Sequence, residues 1–228
     1  MNISLIYIPA VVFFLMFTLL YNLNPSWLKV AWKIWLAMFF IVLNITLYKL
    51  ITPSDWNTVK VVQGKDQKNA SATFKVMMLN DKFTWELGSS ESVSLNGEEV
   101  DIKDFLRAPE ILNEFYASTE IICVGNSSHE GSPQLEEARA QKRGFRFAKW
   151  INEILNPGKK QSILVLNLGH NNIKSSNSSS QRRLTVILVI RKDQEVTLKD
   201  ALKDAISKNQ DIFPFDISEY SKFELDLM

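Results

Sequence analysis

The sequence predicts an α+β domain carried behind a transmembrane helical hairpin, and three observations lead there. Residues 3–20 form an almost unbroken apolar run without charge, and residues 28–50 form a second, each near the ~20 residues needed to cross a hydrocarbon core. Residues 121–124 (Ile-Ile-Cys-Val) and 162–168 (SILVLNL) are short apolar runs rich in branched side chains, too short for helices, and read as buried strands. Between them lies a stretch with helical periodicity, which gives the domain both kinds of element.

The membrane segment comes first in the chain. A cleaved signal peptide is the competing reading of residues 3–20, but a basic leading segment is missing and no small-residue cleavage site precedes the second run. Tyr21, Trp27, Trp32 and Trp35 cluster around the connection, and Tyr48 and Trp56 mark the far end, as interfacial aromatics do. The connection Asn22-Leu23-Asn24-Pro25-Ser26 allows only a tight hairpin, so both ends of the chain emerge on one side. Lys29 and Lys33 flank the turn while residues 1–20 hold no Lys or Arg, which places the turn in the cytoplasm and the larger domain outside the inner membrane. Neither run carries Asp or Glu, so the spans lack the intramembrane carboxylate of a proton relay; Asn44 can hydrogen-bond between helices. The expected division is a membrane hairpin over residues 1–52, a linker over 53–72 and an α+β domain over 73–228.

Residues 54–71 are polar and show no period, hence the linker. Residues 73–79 alternate as a strand, Asn80-Asp81 as a turn, and residues 82–87 as its hairpin partner. Ser94-Leu95 begins a further short strand before the turn signal Asn96-Gly97. Residues 100–116 have helical spacing interrupted by Pro109, which reads as a helical turn followed by a helix with Pro109 at its first position. After the strand at residues 121–124 come a polar loop, Asn126 to Gly131, and Ser132-Pro133, an N-cap hydroxyl with a proline at the first helical position. The helix that follows sets Ala140, Gly144, Phe147, Ala148, Ile151 and Leu155 on one stripe and Arg139, Lys142, Arg143, Arg146 and Lys149 on its other faces. Asn156-Pro157-Gly158 stops it. Residues 175–180 (SSNSSS) read as a flexible polar loop, residues 184–190 as a strand, Thr197 to Asp200 as a capping box opening a helix to about Ser207, and the tail as a source of one edge strand.

The unit of strand, polar loop and basic helix resembles the OmpA-like peptidoglycan-binding family, whose pattern is a strand, G-[HY]-[TA]-[DS]-x-x-G and a helix with an Arg-Ala pair. Gly125 and Gly131 fall on the two glycines, Arg143-Gly144 on the Arg-Ala pair and Trp150-Ile151 on the aromatic-aliphatic pair that closes the helix. Asn167-Leu168-Gly169 sits like the family's R-G-x-G, and Gln181-Arg182-Arg183-Leu184 like its N-R-R-V. The resemblance spans roughly residues 98–192 and implies a βαβαβ core, peptidoglycan as ligand, and a periplasmic domain on the bacterial inner membrane. It also implies a clamp for the diaminopimelate of the stem peptide, an aspartate for the ammonium and an arginine for the carboxylate. Arg143 takes the second position, whereas Ser128 stands where the family has its aspartate; Arg183 is the third ligand candidate.

Other chemistry is thinly supported. The single cysteine excludes an internal disulfide and a multi-cysteine metal site. Cys123, His129 and His170 lie near strand ends, yet no metal or nucleophile spacing accompanies them, so no catalytic residue, metal or cofactor is assigned and the chain is read as no enzyme. A formal net charge of +1 gives no reason to expect nucleic acid. Arg143 borders the apolar stripe, either as an internal partner or as a ligand clamp. Two functions therefore stand: a peptidoglycan-binding cell-wall anchor in the lipid bilayer, or an interaction subunit of a membrane complex, with a membrane-protein partner or another copy, in which the pocket has lapsed.

Overall fold

A computed structural model of the chain describes residues 56–79, 83–155 and 161–228. The expected membrane hairpin, the turn at Asn80-Asp81 and the stop at Asn156-Pro157-Gly158 lie outside these residues. Among the described residues no helix is long and apolar enough to cross a membrane.

A mixed six-stranded sheet forms the middle layer. Its strands are β1 (Trp56–Lys65), β2 (Ser71–Leu79), β6 (Glu120–Ser127), β7 (Ser162–His170), β8 (Thr185–Lys192) and β9 (Glu224–Leu227), in the spatial order β1-β2-β8-β6-β7-β9. Only β6 and β7 run parallel; the other neighbours are antiparallel. A small antiparallel sheet stands apart, made of β3 (Phe83–Trp85), β4 (Val93–Leu95) and β5 (Glu98–Val100). The α-helices among the described residues are α1 (Ile102–Leu106), α2 (Pro109–Ala117), α3 (Pro133–Ile154) and α4 (Leu198–Lys208).

The apolar runs of the sequence are continuous rather than alternating because both faces of the large sheet are covered. Ile121 and Cys123 of β6, Val165 of β7, and Val186 and Leu188 of β8 join a core with Phe115 of α2, Phe147 and Ile151 of α3, and Trp85 of β3. The residues between them, Ile122, Val124, Leu166, Ile187 and Val189, face Leu202 and Ile206 of α4 and the aromatic segment of Phe213, Phe215 and Tyr220. The result is an α+β domain of three layers.

Two expectations are corrected. The linker over 53–72 is instead largely β1 and its turn into β2. Val62 and Gly64 are buried while Lys60, Val61, Gln63 and Lys65 are exposed, so the strand is half-buried at the sheet edge. A glycine contributes no apolar signal, yet it is what the fold needs there: a Cβ on Gly64 would overlap the Ala201 carbonyl oxygen and come within 2.8 Å of Ala205 N on α4. The second correction concerns β3, which was expected to fold back on β2. β2 is already flanked by β1 and β8, so β3 pairs with β4 instead.

Several local signals act as read. Pro109 and Pro133 each stand in the first turn of their helices, and Asn96 and Gly97 both take positive φ (56° and 88°), as the two-residue turn between β4 and β5 requires. The cap hydroxyls do not: Ser132 and Thr197 sit at the N-cap positions of α3 and α4 without a side-chain bond to the helix. The polar loop at residues 175–180 runs into a 3-10 turn, Ser178–Arg182, before β8.

Candidate functional site

The parallel pair β6 and β7 ends on the same side of the sheet, where strand-end loops converge. Helix α3 lies directly over this pair, because Gly125 of β6 faces Gly144 of α3. A Cβ on Gly125 would overlap the Ala140 carbonyl and one on Gly144 would meet Val165 Cγ1 at 2.5 Å. The backbones touch, and this close approach carries the first turns of α3 over the loop from Ser128 to Ser132.

The strand ends are rich in buried polar side chains: Asn126, Ser127, Ser128, Asn167, Asn171, Gln181 and Arg182 are all at most 8% exposed. Most are tied to one another. Ser127 Oγ donates to the Gly169 carbonyl at 3.2 Å and Asn171 N to the Ser127 carbonyl at 3.1 Å. The His129 amide donates to Gln181 Oε1 at 3.3 Å, its Nδ1 lies 3.1 Å from the same oxygen, and Gln181 Nε2 donates to the Ile173 carbonyl at 2.8 Å. His170 N donates to Ser221 Oγ at 3.1 Å. The network joins the β6 loop to the 3-10 turn and the tail, and rigidifies all three.

Ser128 is 1% exposed, and its hydroxyl donates to Glu130 Oε2 at 3.1 Å. Bonds from the Ser178 and Ser128 hydroxyls, against some burial, hold the Glu130 carboxyl below its usual range, with Arg182 adding attraction. Arg182 Nη1 stands 3.8 Å from Glu130 Oε2, an ion pair too long for a hydrogen bond, and its Nε finds no hydrogen-bond partner among the described residues. Burial lowers the Arg182 pKa, while Glu130 and Glu136 oppose the shift.

Arg143 is 1% exposed, yet among the described residues it joins no ion pair and spends its donors on carbonyls. Nε donates to the Ser89 carbonyl at 2.8 Å, Nη1 to the Asn126 carbonyl at 3.0 Å and Nη2 to the Glu86 carbonyl at 3.0 Å. Its guanidinium carbon lies 5.6 Å from the centre of the Trp85 ring, within cation–π range. Burial pushes its pKa down to about 9, with Arg182 adding repulsion and Glu136 resisting, so it stays cationic at neutral pH. Glu136 is taken by Arg139 one helical turn away. Arg143 therefore clamps the loop between β3 and β4 onto the end of β6.

The structure brings Ser128 and Arg143 to the same end of β6, each turned to its own partners. Arg183 is half-buried and its backbone bridges to Thr84 of β3. Arg182 ends the 3-10 turn and Arg183 follows it, so neither lies in β8, which begins at Thr185. Cys123 is sealed in the core, where burial raises its thiol pKa far above the usual value. Among the described residues no group of three or more His, Cys, Asp and Glu is placed to hold a metal.

Sequence reasoning missed Glu130, Gln181 and Arg182 as members of the network, although the loop polarity and the paired arginines were visible. It also missed the carbonyl ligands of Arg143, which leave no side-chain signal. No family model matches this chain, and no curated protein does.

Proposed function

We propose that the chain is a membrane-anchored subunit whose OmpA-like domain serves as a protein–protein interaction module, with the family's ligand clamp closed. One observation carries this reading. The arginine at the clamp position donates from each of its three nitrogens to a carbonyl, those of Glu86, Ser89 and Asn126, and is 1% exposed, so it presents no guanidinium face to a stem-peptide carboxylate. The serine at the other clamp position is equally buried and donates to Glu130. The likeness in fold is supported by β2, β6 and β7 of the large sheet with α2 and α3 between them in the chain, the small sheet β3–β5 and α1 being inserted after β2.

The reading is tested by sedimenting the full chain, in detergent micelles, with purified peptidoglycan sacculi. The chain stays in the supernatant, and Ser128→Asp does not bring it down, because the new carboxylate meets Glu130 in a buried position. Sedimentation of the parent chain overturns the proposal.

Peptidoglycan binding has one observation in its favour. Glu130, more exposed than Ser128 and bonded to it, offers a carboxylate where the serine has none. If that is the ligand group, the chain sediments and Glu130→Gln releases it. In either case the domain lies outside the cytoplasm, and a reporter active only there, fused after Met228, is active; activity of a cytoplasm-only reporter excludes cell-wall binding.

A further inference from the structure

Helix α3 has a second face that the strand-end network does not use. Its apolar stripe is turned into the core, and on the outer side Lys142, Phe145, Arg146 and Lys149 face Ser90 and Glu91 across an open groove of about 600 Å³. The opposite wall is the loop that Arg143 fixes: two of the three carbonyls it holds, those of Glu86 and Ser89, belong to this loop, and Ser89 Oγ accepts from the amides of Glu91 and Ser92 at 3.0 Å each. The buried arginine thus builds a groove where the family resemblance implied a ligand contact.

The groove has a definite chemistry. Three cations line it against one carboxylate, in a protein whose formal net charge is only +1. Phe145, on the solvent side of the helix, is 37% exposed among them. An aromatic side chain beside an arginine is the pairing enriched in protein-binding patches, and the two lysines add steering charge. Glu91 shows which group the groove accepts, because its carboxylate already pairs with Arg146. The Glu91 side chain is 59% exposed, and an ion pair so open to water is weakly held and readily exchanged.

We infer that this groove docks an acidic segment of a partner protein, with an aromatic or aliphatic residue among its carboxylates: the segment pairs with Lys142 and Lys149, packs on Phe145 and displaces Glu91 from Arg146. The inference rests on the interaction-module reading and names its partner chemistry. Glu91 on the rim repels a continuous anionic surface, which disfavours a lipid headgroup layer and admits a single acidic strand.

A display library of random short peptides is panned against the full chain in detergent micelles, with counter-selection on the Lys142→Glu, Lys149→Glu double variant. Enriched peptides carry carboxylates beside an apolar residue. Their affinity falls at least about tenfold in the double variant and weakens with salt. It is unchanged by Lys199→Glu on α4, and tightens by about threefold in Glu91→Gln, which removes the internal competitor. No enrichment, equal binding to the double variant, or loss of affinity in Glu91→Gln overturns the inference. Binding of phosphatidylglycerol vesicles, rather than peptides, that disappears in the double variant overturns it in favour of a lipid surface. Sedimentation with sacculi is scored separately: if the chain stays in the supernatant and no peptide is enriched, the groove is lost and the module reading stands, whereas sedimentation removes the module reading itself.

Discussion

Arg143 reaches from α3 to within 5.6 Å of the Trp85 ring centre, and Trp85 in turn stacks on Trp150 of the same helix with centroids 5.4 Å apart and planes 16° apart. The arginine and the two indoles hold the small sheet to α3. Removing the guanidinium leaves the buried Asn126 carbonyl without a partner and frees the loop of Glu86 and Ser89. We predict that Arg143→Ala costs about 3 kcal/mol, counting one orphaned acceptor and the lost cation–π contact. Arg143→Lys recovers only part of this, since an ammonium lacks the planar fork that spans three carbonyls. Melting temperatures of the purified variants measure it, and an unchanged value for the alanine variant refutes the clamp.

The contact of α3 with the sheet makes a second prediction. Gly144→Ala drives a methyl against Val165 Cγ1 at 2.5 Å and destabilises the domain by about 1–3 kcal/mol, the usual cost of overpacking. Val165→Ala makes room for that methyl. The double variant is therefore more stable than the sum of the two single losses, and a denaturation double-mutant cycle reads the coupling. Strict additivity excludes the contact as the cause.

Asp66 ties the β1–β2 turn to the start of α4. Its Oδ1 accepts from Lys68 N at 2.8 Å and Ala70 N at 2.9 Å, and its Oδ2 from Thr197 N at 2.9 Å. The Thr197 bond, followed by those of Lys68 and Ala70, lowers the carboxyl pKa below its ordinary 3.8, against some burial. A depressed folded-state pKa means that the stabilisation is complete above the unfolded value and is lost as pH falls through the folded one. Asp66→Asn, which turns an amide N–H toward a backbone N–H, lowers the melting temperature at neutral pH. The gap between variant and parent narrows below about pH 4. A gap that stays constant into acid contradicts the assignment.

Cys123 gives a simple reporter of core opening. Fully buried, with its thiol pKa raised by burial, it is unreactive toward an aromatic disulfide reagent in the folded chain and reacts stoichiometrically in concentrated guanidinium chloride. Rapid labelling of the native protein would show that β6 is not where the structure has it.

The sequence made some features legible because their cause is local. Pro109 and Pro133 fix helix starts, Asn96-Gly97 fixes a turn, and the runs at residues 121–124 and 162–168 are buried on both faces. It hid β1, because Gly64 on that strand's inward face adds no apolar signal and the buried residue just past its end, Asp66, is charged. It hid the partner of β3, because that choice depends on β8 already occupying the side of β2. The family resemblance pointed to Ser128 and Arg143, but the fate of Arg143 was not legible. Two of its acceptors are carbonyls 54 and 57 residues away in the chain, and a backbone carbonyl has the same chemistry in every residue.

The position of β8 has a consequence for how the domain comes into being. β1 with β2, and β6 with β7, are pairs of successive strands of the large sheet, but β8 lies between the two pairs, and the bond between Ser71 and Asp193 spans 122 residues. Closing so long a loop is the slow, entropy-limited part of folding. A nascent chain halted before Thr185 holds two half-sheets with bare inner edges, the kind of surface that recruits strands from other molecules. Folding of this domain is thus a late event in its synthesis, timed by the emergence of β8.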